Sequence, residues 1–85
     1  MTSTVEQARE VDKISQQIYN LIAGRAAVVQ GAICADLLAR WLAGHIVPGD
    51  EQKTKAVRER ILKTHIEIVR RLIPINEEQI LAQHG

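Results

Sequence analysis

Eighty-five residues suffice for one domain with a marginal core. The single cysteine, Cys34, excludes an intrachain disulfide as support for that core and fits a reducing compartment. A formal net charge of +1 gives no strong field toward nucleic acid or anionic lipid.

Trp41 and Tyr19 are the only aromatic residues, so a core must be built from Leu, Ile, Val and Ala. Aliphatic side chains of this kind interdigitate well between helices. The opening stretch MTSTVEQARE lacks the basic and apolar regions of a signal peptide. The apolar-rich run Ala26 to Gly44 is about membrane-span length, but Gln30, Asp36 and Arg40 interrupt it. Two charges in mid-span are costly in hydrocarbon. A cytoplasmic protein without membrane contact is therefore expected.

The first helix is predicted from about Val5 to Ala23. Ser3 followed by Glu6 has the spacing of a capping box, and Thr4 with Gln7 repeats it one residue later. Val11, Ile14, Ile18 and Leu21 then recur at three- and four-residue steps, which makes a narrow apolar seam. Ala8 and Ile22 widen it, and Glu6, Arg9, Glu10, Lys13, Gln16 and Gln17 occupy the wet sides. Gly24 is the expected stop, because glycine accepts the left-handed backbone that ends helices.

A second helix is predicted over about 28–43, with a start anywhere from Ala26 to Gln30, since RAAVVQGAI contains no good N-cap. The β-branched Val28, Val29 and Ile33 would suit a strand, but the run continues through CADLLARWLAG, too long and alanine-rich for one. On a helical wheel Ile33, Cys34, Leu37, Leu38, Trp41 and Leu42 share a broad face, and Ala32, Ala35, Ala39 and Ala43 another. Only Asp36 and Arg40, at pairing distance, form a polar seam. A helix apolar nearly all round is buried, so this one is expected at the centre.

The stretch AGHIVPGD reads as stop, turn and start. Gly44 stands where a left-handed terminating glycine belongs. Pro48 and Gly49 suit the central positions of a type II turn. Asp50 can cap the next helix and Glu51 favours its positive end. Ile46 and Val47 are expected to fold back on the preceding helix. The third helix is predicted over about Glu51 to Ile73, with Val57, Ile61, Leu62, Ile66, Ile68, Val69, Leu72 and Ile73 on its apolar half. Pro74 is expected to stop it, because the residue before proline disfavours helical geometry. A short fourth helix over 77–83 would follow, with Asn76 and Gln79 as its capping pair. The fold class is thus all-α: a three-helix antiparallel bundle plus a short C-terminal helix.

Candidate chemistry is sparse. His45, His65 and His84 show no metal-ligand spacing with each other or with Cys34. His65 falls on the apolar arc of the third helix, where a structural role is expected. His45, beside Trp41 at a helix end, gains from the helix dipole when protonated, and the two residues are a candidate ligand pocket. Cys34 falls on an apolar face, where thiols pack rather than react. No catalytic residue, metal site or cofactor is assigned, and enzymatic activity is not expected. Lys53, Arg60, Lys63, Arg70 and Arg71 are candidate nucleic-acid contacts. Glu59 and Glu67 interrupt that face, Lys55 and Arg58 turn toward the apolar arc, and the turn from Gly44 to Asp50 is long for a helix-turn-helix.

The second helix has more apolar surface than two neighbours can cover. Large uncovered apolar patches mark partner surfaces, and twofold dimers are the commonest closed assembly. A homodimer is expected, with Ile33, Leu37, Leu38, Trp41 and Leu42 at its interface. The leading functional expectation is a small intracellular interaction or structural module. The alternative is a nucleic-acid-associated regulator acting through the basic face of the third helix.

Overall fold

The structure is a computed structural model that describes residues 3–84. Its order is α1 (Thr4–Ile22), α2 (Ala27–Ala43) and α3 (Glu51–His84), with no strand among the described residues. The all-helical class expected from the apolar periodicity is what the chain adopts. The chain divides into two compact units, one up to Leu37 and one from Leu38 onward, so the division falls inside α2.

In the first unit α1 begins as its sequence dictates. Ser3 is the N-cap, with extended backbone (φ −70°, ψ 161°), and its side chain accepts from the Glu6 N–H at 3.1 Å. One of the first four orphan donors of the helix is thereby satisfied. At the other end Ala23 is extended (φ −59°, ψ 139°) and Gly24 has φ +81°. The Arg25 N–H donates to the Ile22 carbonyl at 3.2 Å. Residues Ile22 to Arg25 thus make a type II turn, whose third residue must be left-handed.

No side-chain N-cap opens α2, as its sequence foretold. Its joint with α1 is made from α1's unsatisfied carbonyls instead. Arg25 Nε donates to Leu21 O at 3.1 Å, and Gln30 Nε2 donates to Ile22 O at 2.9 Å. Gln30, the polar break in an apolar run, is a half-buried tie between two helices.

In the second unit the Pro48–Gly49 turn forms as expected: Gly49 has φ +76°, and the Asp50 N–H donates to Val47 O at 3.1 Å. Asp50 Oδ1 accepts from the Lys53 N–H at 2.9 Å and caps α3. Of the two apolar residues in this connection, Val47 is half-buried but Ile46 is exposed.

Two expectations about helix ends fail. Gly44 follows the last residue of α2, yet it is not among the left-handed glycines, and the termination does not depend on it. Pro74 does not stop α3, which runs unbroken through it to His84, so there is no separate fourth helix. Proline removes the hydrogen bond to the Arg70 carbonyl and costs about 3 kcal/mol inside a helix. Ending the helix and nucleating another costs about 4 kcal/mol at a nucleation constant near 10⁻³. The good helix formers on both sides of Pro74 therefore favour one helix with a missing bond.

The expectation of a buried central helix is corrected too. None of the α2 residues is buried, and Thr54 is the only buried residue among those described. The apolar side chains with partial cover are Ile22, Ile33, Leu38, Leu42, Val47, Val57, Ile61 and Leu62. No helix among the described residues is long and apolar enough to cross a membrane.

Candidate functional site

The most elaborate local arrangement sits where α2 ends. A helix leaves its last carbonyls without intrahelical partners. Here the Gly44 N–H serves Arg40 O and Trp41 O at 3.3 and 3.2 Å, and the His45 N–H serves Leu42 O at 3.0 Å. Arg58, reaching across from α3, completes the set. Its Nε donates to Leu42 O and His45 O, both at 3.1 Å, and its Nη2 donates to Ala43 O at 2.9 Å. A guanidinium at a helix C-terminus adds favourable charge against the negative end of the dipole. Arg58 therefore does the terminating expected of Gly44.

Thr54 fixes the loop from below. Its hydroxyl, 8% exposed with its side chain, accepts from the Val47 N–H at 2.9 Å and donates to Asp50 O at 2.8 Å. Val47 O lies within reach of the same hydroxyl at 3.3 Å. One side chain thereby holds both sides of the turn.

Trp41 stands between two imidazoles. Its ring meets His45 edge-on at 5.2 Å between centroids and His65 at 4.7 Å, with interplanar angles of 89° and 80°. Such edge-to-face contacts let a ring edge meet a negative π face. His45 Nδ1 lies 2.9 Å from Trp41 O and His65 Nδ1 lies 2.8 Å from Ile61 O. A carbonyl only accepts, so both rings carry the proton on Nδ1. Each histidine is thus a local tie of its own helix end or turn, and His65 is half-buried on the apolar arc as its position implied.

No group of three His, Cys, Asp or Glu side chains able to hold a metal occurs among the described residues. Cys34, read from the wheel as a packing residue, is exposed. Lys53, Arg60, Lys63, Arg70 and Arg71 are all exposed on α3. A shallow groove along α3 brings Arg60, Lys63 and Arg70 together with Glu59 and Glu67, so its charge is mixed.

Of the residues expected at an interface, Leu37 and Trp41 are 47% and 44% exposed, and Ile33, Leu38 and Leu42 are half-buried. In the first unit Ile18, Leu21, Val29, Ile33 and Leu37 line an open groove of about 510 Å³, with Arg25 at its border. The carboxy-terminal half of α3 carries a second open apolar face, including Val69, Leu72, Ile73 and Ile80, each 40% exposed or more.

The sequence reading missed Thr54, Arg58 and Gln30. A signal was present, because all three are polar residues on apolar arcs. Buried polar groups need partners, and the carbonyls at a helix end are the nearest unsatisfied acceptors.

No protein-family model, curated protein or solved structure matches this chain.

Proposed function

We propose that the chain is a small intracellular homodimeric module that works through protein contacts and reaches a complete helical bundle only on association. Antiparallel helices within that assembly bury Ile33, Leu37, Leu38, Trp41 and Leu42. The observation that carries this reading is that no apolar side chain among the described residues is buried within the chain. A standard interface covers roughly 800 Å² per partner, and the exposed apolar side chains Leu37 and Trp41, with the half-buried Ile33, Leu38 and Leu42, offer surface for one. Obligate dimers have interfaces that resemble a core cut in half, which fits a chain with no buried apolar side chain among its described residues.

Sedimentation equilibrium across a concentration series tests the proposal. A mass of about 19 kDa, twice the 9.5 kDa of the chain, is expected at micromolar concentration. A folded monomer there removes the reading. The competing assignment, a nucleic-acid surface on α3, predicts binding that weakens steeply with salt and is lost on charge reversal at Arg60, Lys63 and Arg71. Glu59 and Glu67 in the same groove weigh against it.

A further inference from the structure

Two open apolar surfaces of this chain have complementary form. The groove between the end of α1 and the start of α2 is walled by Ile18, Leu21, Val29, Ile33 and Leu37. From Val29 to Leu37 it extends about 12 Å along α2 at 1.5 Å per residue. Within the first unit Leu21 is 70% and Val29 46% exposed. The second surface belongs to α3. Its 34 residues span about 51 Å, whereas the 17 of α2 span about 25 Å. The half-buried residues Val57, Ile61, Leu62 and His65 lie toward the start of α3, and every described residue from Ile66 onward is exposed. In that later half Val69, Leu72, Ile73, Asn76 and Ile80 follow the spacing of one helical seam. From Leu72 to Ile80 the seam again measures about 12 Å.

Charge matches as well. Arg25 is the only charged residue lining the groove. Beyond Leu72 the only Asp, Glu, Lys or Arg residues are Glu77 and Glu78, and at about 100° per residue Glu77 flanks the seam on the side of Ile73 and Ile80. Arg25 uses Nε on Leu21 O, and a guanidinium has four further N–H donors for a carboxylate.

We infer that the carboxy-terminal half of α3 of one copy docks in the α1–α2 groove of a second copy, and that the second copy returns the same contact. The assembly is a reciprocal exchange: each dimer contains two groove–tail contacts related by a twofold axis. Each contact is a helix laid into a two-helix groove, a three-helix unit completed in trans. This rests on the homodimer proposed above and, of its interface residues, assigns Ile33 and Leu37 to the groove.

Complementation tests it. Leu21→Asp places a charge in the groove and leaves the tail intact. Ile73→Asp places one in the tail seam and leaves the groove intact. Both sites are more than half exposed within the chain, so neither change removes a contact that the subunit alone depends on. Each variant alone should sediment as a monomer where wild type is a dimer, with association weakened about a hundredfold or more by the unpaired charge. An equimolar mixture restores one intact groove–tail contact, and the dimer mass should return, with helicity by circular dichroism rising above that of either variant alone. If wild type dimerises but the mixture stays monomeric, like surfaces pair with like and the exchange is overturned, although the homodimer stands. If either variant alone dimerises as wild type does, the assigned surfaces are wrong. If wild type itself is a folded monomer, the homodimer reading fails together with the exchange.

Discussion

The two connections of this chain use the same turn and end with different strength. Both are type II turns with a left-handed glycine, Gly24 in one and Gly49 in the other. After the first, the joint is held by two side-chain hydrogen bonds, from Arg25 and Gln30 to carbonyls of α1. After the second, Asp50, Thr54 and Arg58 together secure the cap, the turn and the end of α2. The half-buried apolar residues also gather around the second connection, from Leu38 to Leu62. A turn motif therefore sets direction, and the polar residues set into neighbouring apolar faces decide how firmly that direction is kept. Neither connection buries an apolar side chain, and in the proposed homodimer that task falls to association.

The largest effect is expected at Arg58. Arg58→Met keeps the aliphatic stem but strips Leu42 O, Ala43 O and His45 O of a charged donor, which should cost about 3 kcal/mol. The control Arg60→Met, at an exposed position on the same helix, should stay within about 0.5 kcal/mol of wild type. Thermal melts at one fixed protein concentration measure both, since association makes the midpoint concentration-dependent. An Arg58 variant no worse than its control would erase the difference between the two connections.

Thr54→Val comes next. It preserves shape but leaves the Val47 N–H without its acceptor, at a cost of about 2 kcal/mol. Amide hydrogen exchange should show faster exchange at Val47 and little change at Arg25, which locates the loss in the second connection. Gln30→Leu is the matching change in the first. It should cost only about 1 kcal/mol, because Ile22 O retains the Arg25 N–H. A Gln30 variant that loses more stability than the Thr54 variant would reverse the proposed ranking.

The glycines sharpen the same contrast at the smallest scale. Gly24→Ala and Gly49→Ala each force a side chain into the left-handed region and should cost about 1 kcal/mol. Gly44→Ala should do the opposite, with a gain of about 0.5 kcal/mol from reduced freedom of the unfolded chain. Gly44 has no positive φ, and an added Cβ meets nothing closer than Trp41 O at 3.4 Å. Chemical denaturation of the three variants reads the signs directly.

What could be read from sequence alone follows the range of the interactions. The Ser3 cap, the Gly24 turn and the Pro48–Gly49–Asp50 turn and cap depend on residues within a few positions of each other, and each is legible as a short pattern. Arg58 acts on carbonyls 13 to 16 residues away, and Thr54 and Gln30 act over 7 and 8. Their place as polar residues on apolar arcs marks them as needing partners, but which carbonyls they reach depends on the helices already being placed. Gly44 shows the reverse case: its residue type fits a terminating motif, yet a distant arginine supplies the stop. Pro74 shows a local rule outweighed by the cost of nucleating a second helix. The apolar excess of α2 was legible from its wheel, whereas the open face of α3 was concealed by the assumption that the helix ended at Pro74.

The central claim is that this chain lacks a core until it meets another. Sedimentation equilibrium combined with circular dichroism over the same dilution series tests that most directly. The account predicts a mass near 19 kDa, twice 9.5 kDa, with mass and helicity falling together on dilution. A 9.5 kDa species that keeps full helicity and a concentration-independent melting midpoint would contradict it.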